Sequence, residues 1–262
     1  MRLAPFFFLL LAQPLSAHEL WIMPKDFQPD ATVHIEADLV NGQKFEGMRL
    51  PFLPGTNKTL AIVRDGKFTS VSNRIGNTPA IDQASLGDGL NVIVYQSVQA
   101  KVDYAELAKF ESFVKHKDLG DAIARHRARD LPEANFSEVY TRYSKSLVGV
   151  GGGAGSDRDF GMETELVALA NPYTDDMSGG LPVRLTYQGA PRADAQIELF
   201  DRGPAGVQIT TVRTDGSGVA RLPVKAGHVY MADAVVLREK EPQGEGGAVW
   251  ETFWANLTFA VP

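Results

Sequence analysis

Short apolar segments with a two-residue period recur along this chain, and that period constrains the fold more than any motif does. Val33, Ile35, Ala37 and Leu39 alternate with His34, Glu36 and Asp38, as in a strand with one buried and one wet face. Residues 60–63 run into Arg64-Asp65-Gly66-Lys67, the pattern of a strand entering a hairpin turn. Residues 89–97 (GLNVIVYQS) are dense in β-branched and aromatic side chains. Further strands are expected at 181–187, 195–200, 209–213, 219–222, 228–237 and 250–261, at the intervals of a β-sandwich. Of these, 209–213 is expected to meet 219–222 across Thr214-Asp215-Gly216-Ser217-Gly218, and 238–247 reads as a polar, glycine-rich excursion. Strands this short bury their apolar faces only by stacking in sheets. The expected fold is mainly β, with two β-sandwich domains.

A helical interlude breaks the strand period. Asp103 and Glu106 are spaced as a capping box, and Leu107, Phe110 and Val114 then repeat at helical intervals. A second short helix is expected over 121–130, followed by Pro132. Residues 138–148 fit either class: their aromatic and β-branched content favours a strand, whereas Glu138 and Arg142 have the spacing of a helical ion pair. Gly149-Val150-Gly151-Gly152-Gly153-Ala154-Gly155 then reads as a flexible boundary. It is not a phosphate loop, because no Lys-Ser/Thr follows and Asp157, Asp159 and Glu163 bring negative charge. The expected organisation is an N-terminal sandwich over 18–148 with a helical insertion at about 103–131, a linker over 149–161, and a C-terminal sandwich over 162–262.

Residues 1–17 read as a secretory leader: Arg2, then the apolar run 6–12 (FFFLLLA), then Ala17 at the cleavage point. The run is shorter than the roughly 20 residues a membrane span needs, so no span is expected in the mature chain. Cleavage would expose His18-Glu19-Leu20-Trp21 at the start of an exported chain. The chain has no cysteine, which removes disulfides, thiolate metal sites, iron–sulfur clusters and cysteine nucleophiles. A net charge of −6 argues against a nucleic-acid surface and leaves a cation acceptable.

Any metal site must therefore use nitrogen and oxygen. His18 is the first candidate, because a new N-terminus would pair its α-amine with its own imidazole, a chelate suited to nickel, cobalt, copper or zinc. His228 and His34 are the other candidate ligands, His34 sharing a strand face with Glu36 and Asp38. His116 (between Lys115 and Lys117) and His126 (between Arg125 and Arg127) sit in basic surroundings that oppose a cation, and read as a solvated helix face. There is no G-x-S-x-G elbow and no H-E-x-x-H helix, so no catalytic residues are expected. Trp250, Thr252 and Trp254 share one strand face, either as core or as a carbohydrate platform.

Together these segments resemble the DUF4198 family, exported bacterial proteins related to periplasmic components of nickel and cobalt uptake systems of the NikM type. The resemblance rests on His18-Glu19-Leu20-Trp21-Ile22-Met23-Pro24, Asn41-Gly42-Gln43-Lys44-Phe45-Glu46-Gly47, the strand at 89–97 and the stretch from Glu138 to Leu147. It continues through Ala170-Asn171-Pro172-Tyr173, Thr214-Asp215-Gly216-Ser217-Gly218 and Leu257-Thr258-Phe259. It implies a periplasmic location, Ig-like or transthyretin-like sandwiches and a non-catalytic protein that binds nickel or cobalt and passes it to a membrane transporter. Within it, Glu138, Tyr140, Arg142 and Lys145 are expected to clamp the helical insertion to the first sandwich through salt bridges. The competing expectation is an envelope adaptor or adhesion-type module that binds another protein or a glycan.

Overall fold

The computed structural model describes residues 18–262; the expected leader, residues 1–17, lies outside them. The first strands are β1 (Glu19–Pro24), β2 (His34–Gln43), β3 (Glu46–Leu50), β4 (Asn57–Arg64), β5 (Lys67–Ser70), β6 (Ile81–Ala84), β7 (Gly89–Ser97) and β8 (Ala100–Tyr104). Helices α1 (Leu107–His116) and α2 (Ala122–Ala128) follow, then β9 (Phe136–Val150), β10 (Thr164–Ala168), β11 (Leu181–Tyr187), β12 (Ala190–Pro191) and β13 (Gln196–Gly203). The chain closes with β14 (Gly206–Arg213), β15 (Val219–Leu222), β16 (His228–Glu239) and β17 (Trp250–Val261). The fold is mainly β.

The central layer is a nine-stranded sheet, β14-β13-β16-β17-β9-β7-β4-β5, with β8 also on β9. Strand β9 is the segment whose sequence fitted either class. It is a strand because both its edges are filled: Glu138 to Ser146 pair in parallel with Trp250 to Thr258 of β17, and its second half pairs antiparallel with β7. That ladder joins the two halves of the chain in one sheet. Alternation along β16 shows how both faces are covered. Tyr230, Ala232 and Ala234 face one way and pack beneath the small sheet of β10, β11, β12 and β15. Met231 and Val235 face the other way, toward the small sheet of β1, β2, β3 and β6 and toward the helices. Strand β1 lies across that second face, where Ser144 donates to the Leu20 carbonyl (2.8 Å) and Thr258 to the Ile22 carbonyl (2.7 Å). Two carbonyls that packing would have orphaned are thereby satisfied.

The structure corrects three local expectations. Asp103 does not cap α1: it belongs to β8, where its carboxylate accepts from Ser137 (2.7 Å), and Leu107 N–H donates to the Glu133 carbonyl instead. The β8–β9 ladder reaches Tyr104 and so turns Asp103 toward its strand partner. Strands β14 and β15 do not form a hairpin; β14 pairs with β13 and β15 with β11, so the Asp215 turn carries the chain from the central to the outer sheet. Asp215 organises that turn by accepting from the N–H groups of Ser217 and Val219.

The third correction concerns the clamp. Glu138 is fully buried and pairs with no cation among the described residues: Tyr104 donates to one oxygen (2.9 Å) and Thr252 to the other. Arg142 donates instead to the His18 carbonyl (2.7 Å). Lys145 lies on the opposite face, held by Asp157 and Glu165 rather than by the insertion. Burial pushes the Glu138 carboxyl up to about 7, against hydrogen bonds from Thr252 and Tyr104 that act to lower it. The unfolded chain releases this proton near the ordinary Glu value, so between there and about 7 the folded state binds more protons and stability falls as pH rises. Glu138→Gln keeps the shape without the buried charge. It should raise stability by about 1–3 kcal/mol at pH 8.5 and by far less at pH 4, read from urea unfolding midpoints.

The glycine-rich run ends β9 rather than floating free. The Tyr173 ring packs so closely on Gly149 that a Cβ there would come within 2.7 Å of it, while the Tyr173 hydroxyl donates to the Leu147 carbonyl (2.6 Å). Asn171 then donates to the carbonyls of Gly153 and Gly155.

Candidate functional site

The last turn of α1 delivers Lys117 to the second face of the central sheet. The helix ends at His116, and Asp118 follows in a left-handed conformation (φ 52°) that turns the chain away. The buried Lys117 stem thus drops onto the sheet, its ammonium 4.9 Å from the centre of the Trp254 ring. Below it, Glu198 of β13 and Asp233 of β16 are register partners. Two like charges directly opposite on neighbouring strands repel, and burial strengthens the repulsion. A third carboxylate, Glu19, enters from the first residue of β1.

One ammonium answers all three carboxylates. Lys117 Nζ lies 2.9 Å from Glu19 Oε1 and 2.9 Å from Asp233 Oδ2, and also pairs with Glu198 Oε2. His116 Nε2 sits 2.7 Å from the other Glu198 oxygen. Burial acts to lower the Lys117 pKa, but the three carboxylates outweigh it and hold the ammonium above its ordinary range. Burial dominates at Asp233 and raises its carboxyl, whereas at Glu198 His116 and Lys117 overcome burial and lower it. Glu198 in turn raises the His116 imidazole. Two buried oxygens, Glu19 Oε2 and Asp233 Oδ1, have no hydrogen-bond partner among the described residues.

A cavity of about 520 Å³ opens beside this cluster. Glu19, Glu198, His116 and Lys117 form its polar wall; Tyr104, Phe113, Phe200 and Ile209 supply most of the apolar lining, and Lys44 and Lys109 also border it.

The histidines singled out from sequence lie elsewhere and are not gathered together. His18 leads into β1 with its carbonyl bound by Arg142. His34 is exposed at the start of β2 and pairs with Asp82 (2.7 Å). His228 opens β16, pairs with Asp201 (2.5 Å) and packs over Gly203, where a Cβ would strike its ring. Among the described residues, the group of acids and histidines compact enough to hold a metal ion is Glu19, Glu198 and Asp233, with ligand atoms within 4.8 Å of one another. Glu19 is the neighbour of His18 in the chain.

His126 is not a solvated helix residue. It is buried, its Nδ1 accepting from Trp250 Nε1 (3.0 Å) and its Nε2 donating to the Pro132 carbonyl (3.0 Å). The arginines around it are paired with Asp121, Glu239, Glu111 and Glu133. Trp250 and Trp254 are buried beneath α1, against Phe110 and Phe113, so neither ring offers a carbohydrate platform. The site residues missed from sequence were Glu19, Lys117, Glu198 and Asp233. For Glu198 and Asp233 the signal is a charge inside an apolar run, Ile197-Glu198-Leu199-Phe200 and Ala232-Asp233-Ala234-Val235, where burial demands a partner; Lys117, in the polar run 115–118, carries no such signal.

A comparison with curated proteins returns no match. Among solved structures, the chain is similar to one described as "Crystal structure of tetra-tandem repeat in extending region of large adhesion protein", at 12% identity and a TM-score of 0.22. The match covers 94% of this chain and 50% of that one, so this chain spans about half its length. A TM-score that low carries no argument about fold or function. Residues 15–238 match the family described as "Domain of unknown function (DUF4198)". The chain belongs to the DUF4198 family.

Proposed function

We propose that this protein is a non-catalytic binding protein that holds a small solute in the cavity between α1, β1 and β13, against the Lys117 cluster. The observation that carries this reading is the cavity itself. At about 520 Å³, largely apolar with a few convergent polar groups on one wall, it has the size and chemistry of a small-molecule site. Binding fits the wall better than catalysis does, because Lys117 is held protonated by three carboxylates and is neither base nor nucleophile. Ala108 borders the cavity from the exposed side of α1 and takes no part in the cluster. A thermal-shift screen of compounds with about 8 to 15 heavy atoms should find ligands that stabilise the protein and lose that effect in Ala108→Trp. No stabilising compound, or undiminished stabilisation in the variant, would exclude the cavity.

A second reading, capture of a divalent transition metal for uptake in the periplasm, rests on charge. Three carboxylates around one ammonium leave two negative charges, and Glu19 Oε2 and Asp233 Oδ1 offer unused lone pairs. Oxygen ligands alone suit hard ions, so nickel or cobalt would require imidazole nitrogen, supplied by His116 or by a processed His18. Calorimetric titration of protein beginning at His18 with Ni(II), Co(II), Cu(II) and Zn(II) should then show saturable binding, weakened at least tenfold in Asp233→Asn and in one of His18→Ala and His116→Ala, which identifies the nitrogen ligand. Absence of saturable binding for all four ions would remove this reading.

A further inference from the structure

The hairpin between β2 and β3 turns in an unexpected place. Asn41-Gly42, the pair best suited to a two-residue hairpin turn, lies inside the ladder opposite Gly47 and Met48. The turn is made instead by Lys44 and Phe45, at φ 53° and 63°, a left-handed conformation that disfavours both side chains. Phe45 holds it there. Its ring is fully buried and edge-on to Trp21 (5.6 Å between centres), and Arg202 covers it and donates to its carbonyl. The strained turn sets Lys44 in the border of the cavity, where it is exposed. A second exposed lysine, Lys109, borders the cavity from α1, about two helical turns ahead of His116.

Lys44, Lys109 and Lys117 balance Glu19, Glu198 and Asp233 in number, so selection depends on which charges a solute can reach. The carboxylates are already engaged or sealed. Lys117 and His116 take both Glu198 oxygens, Lys117 takes Glu19 Oε1, and Glu19 Oε2 and Asp233 are closed to solvent. Lys117 is buried among them. Lys44 and Lys109, by contrast, are exposed, and neither forms an ion pair among the described residues. The accessible charge at the cavity border is therefore positive. Apart from Gln43 and Ser112, the rest of the lining is apolar, and Ile209 is left 42% exposed. We propose that the solute is an organic acid with an apolar body, its ionised head drawn to Lys44 and Lys109 and its body covering Tyr104, Phe113, Phe200 and Ile209. This rests on the cavity reading above and names its ligand class. Exposed ion pairs are weak, so two lysines give a preference of severalfold rather than of orders of magnitude.

The test uses the whole protein, calorimetric titration, and three matched sets. These are 3-phenylpropionate with 3-phenylpropanol and 3-phenylpropylamine, indole-3-acetate with tryptophol and tryptamine, and hexanoate with 1-hexanol and hexylamine. In dilute buffer at pH 7, at least one acid should bind fivefold or more tightly than its alcohol and its amine. Raising NaCl to about 0.5 M should erode that preference, because both lysines are open to screening. The double substitution Lys44→Gln with Lys109→Gln should shrink it at least threefold, and both side chains are exposed, so the fold is retained. Equal binding of acid, alcohol and amine would overturn the ionised-head assignment and leave the cavity reading standing. Tighter binding of the amines would overturn it in the same way. A preference for acids that the double substitution leaves unchanged would show that another group reads the charge, and would also overturn the assignment. If no member of any set binds, the cavity reading fails and this inference falls with it.

Discussion

Lys117→Met is expected to lose about 3–5 kcal/mol of folding stability at pH 8, because it strips the one ammonium that three buried carboxylates share. Methionine fills much the same space and keeps a favourable contact with the Trp254 ring, so the change is mainly one of charge. Without the ammonium, Glu198 and Asp233 face each other across adjacent strands with Glu19 above them. They can escape only by taking up protons, which raises their folded-state pKa values above those of the unfolded chain. The folded variant then binds more protons than the unfolded one across the weakly acidic range. Its stability should therefore rise as pH falls from 8 to 5, the reverse of ordinary acid weakening. Urea midpoints at both pH values measure this. If the single variant does not fold at pH 8, Lys117→Met with Asp233→Asn should restore at least part of the loss. A deficit below about 1 kcal/mol, or one independent of pH, would show that the carboxylates are balanced in some other way.

Lys145→Met should be nearly as damaging, through a different part of the molecule. Lys145 is 1% exposed and lies between two carboxylates that are themselves sealed from solvent: Asp157 at 2.8 Å and Glu165 at 3.0 Å. It also donates to the Arg158 carbonyl (3.0 Å). These partners belong to β10 and to the segment leading into it, so the ammonium ties that stretch to β9. Both carboxylates organise backbone as well: Glu165 accepts from the N–H groups of Phe160 and Met162, and Asp157 from that of Ala168. Removing the cation leaves two buried anions, and burial already raises the Glu165 carboxyl even with Lys145 present. The expected cost is about 3–5 kcal/mol if the segment stays in place. If it detaches, the global cost is smaller, and the amides of Phe160, Met162 and Ala168 exchange at least tenfold faster with deuterium. Unchanged global stability together with unchanged exchange at those amides would rule out the tie.

The two sites show where sequence reasoning reached and where it stopped. Strands expected at 89–97, 181–187, 219–222 and 250–261 have those bounds in the structure, and both helices fall within the expected insertion. These elements were readable because a two-residue or 3.6-residue apolar period is a property of a short stretch of chain. The helix cap at Asp103 and the β14–β15 hairpin failed because each depends on a competing ladder formed with a distant strand. The candidate site failed for the same reason. Lys117 looked like one cation in a basic surface run, and Glu198 and Asp233 like isolated charges in separate strands. Histidine chemistry drew the eye to His18, His34 and His228, while the structure put the compact acid group at the residue after His18.

By itself, the sequence determined that this chain would be mainly β, that its middle would carry a short helical insertion, and that no thiolate chemistry was open to it. Each of those follows from local period or from composition. Only the tertiary structure decided that β9 and β17 run side by side, so that one sheet carries both halves of the chain. It alone set Glu198 opposite Asp233, dropped Lys117 between them and placed Glu19 in the wall of a cavity. Buried charge is settled by who its neighbours are, and those neighbours come from segments separated by up to 214 positions between Glu19 and Asp233. No local pattern records that register, because it is chosen by the packing of two sheet faces and two helices together.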